Sequence, residues 1–485
     1  MTTRNARLWL LGAVVADIAL RLRFLNVPLS VDEAGYGQVA RLWSRGFALY
    51  GETAWVDRPQ GLVGLYRFAV WFGDEWAIRM LALTAGVVLV VAVAVIAWTI
   101  GGPRVGMLAG WLIALLGPAP HLEGFTANGE LLGGAVAAAA IAVAIRWSVR
   151  PRLWILLTTG VVAGCAPLVK QSAFDGVVVA AAVVLVIAVR ERAWRAGVTR
   201  ILVLTVGIAI PWALAMLAAA SASPGVGGWW YAIYGYRAAT ESLLSGDFGF
   251  RLQLLGKSIL PMLVDGAPLL VFGVVGFVVL RRQRQSLMPL VWLGACAVGF
   301  LAGGLYHPHY WVQMLPPLAI FAGLGADHVC ACWPRRRALA VVGVVVAIPL
   351  LASLPVYFAS TPELASERST NDPRVISARP VGAAVAAATM PTDRVQVLWA
   401  NAAVYWYADR IPATRYLWYR NIERIPGASA HVAAVFAGSN QPEIAVEYQS
   451  VDALNADGSI QQVLDAQYQS STVDGIRIWQ HERHP

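Results

Sequence analysis

Long apolar stretches recur along the first three-quarters of the chain, separated by shorter polar segments. Most approach the roughly 20 residues with which a helix crosses about 30 Å of hydrocarbon. The first stretch contains Asp17, Arg21 and Arg23, and no small-residue cleavage site follows it, so we predict a retained helix rather than a signal peptide. The pattern predicts about eleven spanning helices, at residues 8–25, 78–100, 104–119, 130–146, 153–169, 173–189, 201–221, 262–280, 287–305, 311–328 and 338–357.

Composition agrees with this pattern. Of the 485 residues, 58% are hydrophobic and 13% are charged, with a mean hydropathy of +0.60. An average soluble domain has about 45–50% apolar and about 25% charged residues. So few charges cannot cover a water-exposed surface, and so apolar a chain does not stay disordered. The 45 glycines and 26 prolines exclude a coiled coil. The fold class predicted is therefore an all-α polytopic membrane protein.

The net charge of +9 comes almost entirely from arginine. In a soluble protein it would suggest nucleic-acid binding, but here the arginines occupy short connections between apolar runs, as in the positive-inside pattern. They share one side if residues 59–73 form an interfacial helix instead of a span. We therefore predict a cytoplasmic N-terminus and these inner residues: Arg4, Arg7, Arg104, Arg146, Arg150, Arg152, Arg190, Arg192, Arg195, Arg200, Arg281, Arg282, Arg284, Arg335, Arg336 and Arg337.

The longer polar segments then fall on the outer side. They are the loops 26–77, 120–130 and 222–261, followed by a small extracytoplasmic α/β domain at 359–485. The transmembrane domain is accordingly 1–358. In the C-terminal domain the pattern predicts a helix near 380–389 and strands at 395–399, 432–436, 444–448 and 476–479.

Two adjacent acids, Asp32 and Glu33, follow the first predicted span directly. A carboxylate at the outer membrane surface could take a proton from an acceptor hydroxyl, which is the work of a general base. The same two acids also suit the first turn of a surface helix, where negative charge is favoured by the helix dipole.

Two basic residues stand apart from the inner clusters. Arg58 precedes a proline in the first outer loop, and its guanidinium fork matches phosphate oxygens. Lys170, one of two lysines in the chain, lies between two strongly apolar runs, where an ionisable group indicates function. The alternatives are an arginine that snorkels to the headgroups and a lysine that anchors the topology.

Two further outer segments carry candidate binding residues. The second outer loop holds His121, Glu123, Asn128 and Glu130, which also suit a polar turn with Asn128 as a helix cap. His309 and Tyr310 lie in an aromatic segment that is also typical of an interfacial belt, as is the aromatic cluster at 229–237. A divalent metal stays open, since the spacing of His121 and Glu123 is not diagnostic.

The sequence has no Walker A loop, no GxGxxG at a strand–helix turn, no HExxH and no GxSxG. Nucleotide chemistry is therefore not supported. An outer site has no access to cytosolic nucleotides, so an activated lipid is the natural donor.

Taken in order, these elements resemble the GT-C glycosyltransferase superfamily over roughly residues 8–330. The similarity is greatest to its branch of dolichyl-phosphate-mannose–protein mannosyltransferases and lipid A aminoarabinose transferases. The matching elements are Asp32-Glu33 with Tyr36, Gly46 to Tyr50, Arg58-Pro59, Gly73 with Trp76 and Arg79, Glu130-Leu-Leu, Gly164 to Lys170, and His309-Tyr310 before Pro316-Pro317.

The resemblance implies inverting transfer from a polyprenyl-phosphate sugar at the outer membrane face. It implies that Asp32 is the catalytic base, that Arg58 and Lys170 hold the donor phosphate, and that Glu130 shapes the site. The chain departs from the family in two places, because Arg58-Pro59-Gln60 replaces the usual Lys-Pro-Pro, and Glu130 replaces a more usual Asp.

The resulting hypothesis is an integral membrane hexosyl- or pentosyltransferase acting on a hydroxyl of a glycan, lipid or protein, without nucleic acid. The candidate residues are Asp32 and Glu33 for catalysis, Arg58 and Lys170 for the donor phosphate, and Glu130, His121, Asn128, His309 and Tyr310 for substrate. Two alternatives remain open: a transporter or flippase of lipid-linked sugars, and a non-catalytic envelope assembly factor that binds through 359–485.

Overall fold

The computed structural model describes residues 3–239, 248–280, 287–370, 372–399 and 401–482. The predicted inner arginines Arg281, Arg282 and Arg284 lie outside the described residues. The N-terminal part is a helix bundle with α1 Thr3–Leu22, α2 Val31–Ser44, α3 Gln60–Phe72, α4 Glu75–Gly101, α5 Pro103–Leu116, α6 Gly129–Val149, α7 Leu153–Val169, α8 Asp175–Glu191, α9 Trp194–Ala220, α10 Gly225–Trp230, α11 Phe248–Asp265, α12 Ala267–Leu280, α13 Leu287–Gly303, α14 Leu315–Cys332 and α15 Arg335–Tyr357.

Each apolar run in the sequence coincides with helix in the described chain. Among the described residues, five helices are long and apolar enough to cross a membrane, namely α4, α6, α9, α14 with its preceding 3₁₀ turn, and α15. The pair α11 and α12 adds a sixth only if its 85° bend belongs to one span. Because α5 and α7 have 14 and 17 residues, the number of about eleven spans stays a prediction.

The bend between α11 and α12 corrects the prediction for 222–280. The expected span 262–280 is broken at Gly266, which is followed by Pro268. Proline has no N–H to continue a helix, so the chain turns at this point. The expected loop 222–261 is mostly helical where it is described, with α10, a π-helical turn at Tyr231–Gly235 and α11, while residues 240–247 lie outside the described residues.

Burial separates central helices from peripheral ones. In the spanning windows of α4, α6 and α14, 61% of the residues are buried, against 17% in α9 and α15. The outer faces of α9 and α15 expose large side chains such as Leu202, Leu217 and Val344. Long apolar faces of this kind are stable against lipid and not against water, so the burial pattern fits a polytopic membrane protein.

Chain direction sorts the arginines to one end of the bundle. Helices α4, α6, α8 and α14 begin at the end that carries the C-terminal domain, so the basic turns that follow them lie at the opposite end. Helix α3 has 13 residues, about 20 Å, which is too short to cross about 30 Å of hydrocarbon. This segregation matches the predicted pattern, although the side that faces the cytoplasm stays a prediction.

The C-terminal part is a small α/β domain, as predicted. Its five-stranded sheet has the order β2-β1-β3-β5-β4, with β1 parallel to β2 and β3, and β5 antiparallel to β3 and β4. Its elements are α16 Pro362–Thr370, α17 Pro373–Ala388, β1 Arg394–Leu398, α18 Ala402–Ala408, β2 Ile411–Pro412, α19 Tyr419–Arg424, α20 Ala428–Ala437, β3 Ile444–Glu447, α21 Ser459–Gln467, β4 Tyr468–Val473 and β5 Ile476–His481.

One predicted strand was wrong. Residues 432–436 belong to helix α20, in which Val432 and Phe436 are one turn apart and both fully buried. A short apolar run does not distinguish a buried strand from a buried helix. Strand β4 was missed for the opposite reason, because its middle residues are polar and exposed at the sheet edge.

The C-terminal domain docks on α2. Gln38 donates to the carbonyl of Arg410 at 2.9 Å, and Arg41 pairs with Asp409 at 3.0 Å. Two glycines of α2 make the approach possible: a Cβ on Gly35 would meet the Trp418 ring, and one on Gly37 would lie 2.9 Å from Trp406. The domain is therefore fixed on the helix that follows α1.

Close packing between α12 and α14 gives a test of the bundle. A Cβ on Gly276 would meet the carbonyl oxygen of Phe321, and one on Gly325 would meet that of Phe272. We expect Gly276→Ala to destabilise the protein by about 1–3 kcal/mol, because the backbones must separate. The control is Gly343→Ala in α15, where nothing lies within 4 Å. Thermal unfolding in detergent measures both, and equal melting temperatures would contradict this packing.

Candidate active site

A cavity of about 450 Å³ lies between the helix bundle and the C-terminal domain. Five separate stretches of the bundle contribute to it, and one wall comes from the C-terminal domain. Its polar lining consists of Ser30, Asp32, Tyr36, Asp57, Arg58, Glu123, Thr126, Asn128, Tyr236, Arg237, His307, His309, Tyr310, Thr370, Asp372, Arg374, Trp418, Tyr419, Arg420, Asn421, Arg424 and Gln449.

Asp32 lies on the cavity wall in the first turn of α2. A capping box builds that turn, since the hydroxyl of Ser30 accepts from the N–H of Glu33 and the Glu33 carboxylate accepts from the N–H of Ser30. Tyr36 donates to one oxygen of Asp32 at 3.2 Å, and the Trp418 indole donates to the other at 3.0 Å. The carboxylate is half-buried and held in one orientation.

Glu33 points away from the cavity and does not line it. Its carboxylate is fully buried and accepts from Arg79 at 2.8 Å and from the backbone N–H of Ala127 at 2.7 Å. Arg79 donates in turn to the carbonyl of Pro28 at 2.9 Å. Glu33 thus joins the first loop, α4 and the second loop, and we assign it a positioning role instead of the catalytic one expected from sequence.

Two arginines on the bundle side share one carboxylate. Arg58 and Arg237 each lie 2.7 Å from the same oxygen of Asp57. Burial opposes ionisation of Asp57, but Arg58, Arg237 and Lys170 outweigh it and lower the pKa of this carboxyl. The hydroxyl of Tyr50 fixes the Arg58 backbone by donating to its carbonyl at 2.9 Å. Both guanidinium groups line the cavity and form a cationic wall there.

Lys170 and Glu130 form a buried pair beside the cavity, with 2.6 Å between Nζ and Oε1. Neither side chain lines the cavity, which is closed above Lys170 by the Tyr310 ring, centred 5.1 Å from its Nζ. The structure therefore brings both predicted residues to the site. They form an ion pair without net charge, which lies beside the cavity and does not line it. Of the two predicted phosphate ligands, Arg58 alone faces the open space.

The histidine segment reaches the cavity as expected. His309 lies 3.1 Å from a carboxylate oxygen of Glu123, and its ring stacks on that of His307 with centroids 5.5 Å apart. His307 also lines the cavity.

Two other residues predicted from the second loop, Asn128 and His121, lie in different places. Asn128 lines the cavity and also caps α6 by accepting from the N–H of Leu131 at 2.8 Å. His121 lies outside the cavity lining, where its ring is 2.9 Å from Asp265 in α11. The hydrogen bond to Asp265 raises the pKa of His121. His121 therefore links the second loop to α11, and its substrate role stays a prediction.

Sequence reasoning missed the wall contributed by the C-terminal domain. Trp418, Arg420 and Arg424 come from α19 and the segment before it, and Arg374, which pairs with Asp372 at 2.7 Å, begins α17. A signal was present in the run Tyr-Leu-Trp-Tyr-Arg at 416–420, since aromatic rings beside cations suit sugars and phosphates. This run alone does not predict a site, because nothing in the sequence places this domain beside the first loop.

A divalent metal gains no support from the donor set. Among the described residues, no group of three His, Cys, Asp or Glu side chains is arranged to hold a metal ion. The carboxylates of the cavity are engaged by N–H and O–H donors instead. We therefore assign no reaction step to a metal ion. Chemically, the cavity combines an oriented carboxylate with several guanidinium groups, which suits proton removal beside an oxyanion.

Comparison with solved structures identifies the fold. ArnT from Cupriavidus metallidurans bound to undecaprenyl phosphate superposes with a TM-score of 0.61 and 16% identity, covering 99% of this chain and 98% of that one. Its apo state gives 0.62 and 17%, with 98% of each chain covered. This chain has the GT-C fold. The Archaeoglobus fulgidus oligosaccharyltransferase in complex with Zn and sulfate shares it, with a TM-score of 0.56, 15% identity, and 98% of this chain and 73% of that chain covered.

The GT-C similarity lies in structure and not in sequence. No family model matches the chain, and no curated protein matches it by sequence. The superposition nevertheless extends over nearly the full length of ArnT, so both the helix bundle and the C-terminal domain have counterparts there. The resemblance expected from the ordered motifs is confirmed at the level of fold.

The buried ion pair of Glu33 and Arg79 gives a test of the site framework. Their side chains are 1% and 2% exposed. We expect Glu33→Gln to cost about 3–5 kcal/mol of stability, because it leaves a buried, unpaired guanidinium. The control is Glu52→Gln, which removes an exposed pair with Arg415 worth about 0–1 kcal/mol. If thermal unfolding shows similar losses for both variants, the framework role of Glu33 is wrong.

Proposed function

We propose that this protein is an integral membrane glycosyltransferase. It transfers a sugar from a polyprenyl-phosphate donor to a hydroxyl acceptor at the outer face of the membrane, with inversion. Asp32 acts as the base, and the guanidinium wall that includes Arg58 holds the donor phosphate. One observation carries the proposal: a single cavity presents the Asp32 carboxylate together with Arg58 and Arg237.

The donor class follows from the cationic wall and the fold. ArnT was crystallised with undecaprenyl phosphate, and such a lipid carries one phosphate on a long apolar chain. In the present cavity, Arg58 and Arg237 line the open space from the bundle side, and both contact Asp57. A phosphate ester carries negative charge and accepts bidentate hydrogen bonds from guanidinium groups.

The reaction is a single displacement at the anomeric carbon. The acceptor hydroxyl oxygen forms the new bond to that carbon, while the bond from the carbon to the phosphate oxygen breaks. Asp32 receives the hydroxyl proton, and the electron pair of the broken bond stays on the departing polyprenyl phosphate. Attack opposite the leaving group inverts the anomeric configuration.

Each catalytic contribution has a structural basis. The hydrogen bonds from Tyr36 and Trp418 hold both oxygens of Asp32, so the base meets the hydroxyl without reorganising. Arg58 and Arg237 are positioned before the reaction and stabilise charge as it develops on the phosphate. The Lys170–Glu130 ion pair lies next to this wall, where the Lys170 ammonium contacts the Tyr310 ring.

Orientation follows from the arginine pattern. The basic turns after α4, α6 and α14 lie at the end of the bundle opposite the cavity, and positive turns favour the cytoplasm. We therefore place the cavity and the C-terminal domain outside and the N-terminus inside.

The two alternative functions, a transporter and an assembly factor, can be distinguished from a glycosyltransferase, because neither transfers sugar to an acceptor in detergent solution without vesicles.

Replacing the base tests the proposal. A strain that lacks the gene should lose one sugar unit from its envelope lipids, glycans or proteins, which mass spectrometry detects. Wild-type protein should restore that unit, and Asp32→Asn should lower its formation by at least about 100-fold, since the amide cannot accept the proton. The control is Asp74→Asn, an exposed carboxylate outside the cavity. Full restoration by Asp32→Asn at equal membrane levels would refute the assignment.

Removing the indole donor tests how Asp32 is held. Trp418→Phe keeps an aromatic ring but loses the N–H that bonds Asp32. We expect transfer to slow about 10-fold, because one of the two hydrogen bonds that orient the Asp32 carboxylate is gone. Trp479→Phe removes an equivalent bond to Glu447 in the sheet and should leave the transfer rate unchanged. A wild-type transfer rate in Trp418→Phe would contradict the positioning role.

A further inference from the structure

The C-terminal domain places two arginines on its wall of the cavity. Arg420 and Arg424 both line the open space and come from the short helix α19. Residues four apart lie on the same face of a helix, with Cβ atoms about 5–6 Å apart. A group the size of a phosphate can therefore accept hydrogen bonds from both guanidinium groups at once.

Arg420 and Arg424 differ in their carboxylate contacts from the other arginines that line the cavity. Arg374 has Asp372, and Arg58 and Arg237 share Asp57. Within the described part of the chain, the Arg420 side chain has no carboxylate within 4.0 Å, and Arg424 has only its exposed neighbour Glu423 at 3.5 Å. Burial and then the nearby charge of Arg424 lower the pKa of Arg420. The pair thus costs free energy unless an anion joins it.

The position of α19 is fixed by contacts on both sides. Tyr236 donates to the carbonyl of Arg420 at 3.2 Å and to Asn421 at 3.3 Å, and its ring meets that of Trp55 with centroids 5.3 Å apart. Trp418, just before the helix, bonds Asp32. The two arginines are consequently held in a fixed position beside the candidate base. Binding of solvent ions alone does not explain why their position is fixed.

We propose that Arg420 and Arg424 form a second oxyanion subsite, separate from the Arg58 and Arg237 wall, which binds a phosphate-class group of a substrate. The proposal rests on the proposed function, because that function assigns the donor phosphate to Arg58 and Arg237. The second oxyanion belongs either to the acceptor or to a second phosphate of the donor. In both cases this enzyme handles two anionic groups, one on each side of Asp32.

Equilibrium binding to the purified full-length protein tests the subsite without turnover. The probes are undecaprenyl monophosphate, undecaprenyl diphosphate and inorganic pyrophosphate. The variant is Arg420→Gln combined with Arg424→Gln, and Arg420→Lys serves as a second variant that keeps the charge and loses the fork. Arg477→Gln is the matched control, since it removes an exposed arginine of the same domain away from the cavity.

Two results would support the proposal and identify the source of the anion. If wild-type protein saturated with the monophosphate lipid still binds pyrophosphate, and the double variant binds it at least about 10-fold more weakly, the anion belongs to the acceptor. If wild-type protein instead prefers the diphosphate lipid and the double variant loses that preference, the anion is the second donor phosphate. In either case Arg420→Lys should fall between wild type and the double variant, and Arg477→Gln should match wild type.

The opposite result is equally clear. The proposal is overturned if both Arg420→Lys and the double variant bind every probe as wild type does, or if wild-type protein shows neither pyrophosphate binding nor a preference for the diphosphate. Monophosphate binding that stays within about two-fold in the variants shows that they are folded. Failure here is distinguishable from failure of the proposed function, which is read from sugar transfer by Asp32→Asn and not from anion binding.

Discussion

The buried ion pair between Glu33 and Arg79 is the interaction on which the cavity depends. Removing two charges from water is costly unless hydrogen bonds satisfy the remaining donors and acceptors. Here the Glu33 carboxylate also accepts from the backbone of Ser30 and Ala127, and Arg79 donates to Pro28. One side chain thereby fixes the start of α2, the second loop and the top of α4. Because helical residues advance by about 100°, Asp32 is directed to the cavity when Glu33 is buried.

The second constraint is the close approach of the C-terminal domain to α2. Gly35 and Gly37 leave room for the rings of Trp418 and Trp406, so α2 carries structural contacts on two sides and the candidate base between them. The domain is therefore part of the cavity and not an appendage to the bundle. Its arginines Arg420 and Arg424 line the same cavity as Arg58 and Arg237, so the domain and the bundle both contribute cations to the site.

Several features could be predicted from sequence because they depend on local pattern. Apolar runs became helices since a lipid or protein interior requires satisfied backbone hydrogen bonds, and Asn128 became a cap because its side chain reaches the N–H of Leu131. The predicted strand at 432–436 failed because five apolar residues have no decisive period. His121 and Glu123 are two positions apart, and only the turn between them decided that Glu123 faces the cavity.

The sequence by itself determined the membrane class, the segregation of arginines to one end, and the identities of Asp32, Arg58, His309 and Tyr310 as candidates. These follow from composition, periodicity and ordered motifs, which are properties of neighbouring residues. Only the tertiary structure decided that Glu33 and His121 are links, that Lys170 is paired beneath Tyr310, and that Trp418 donates a hydrogen bond to Asp32. Such assignments depend on side chains separated by up to 386 positions in the chain, and their geometry exists only once the helices and the sheet have packed together.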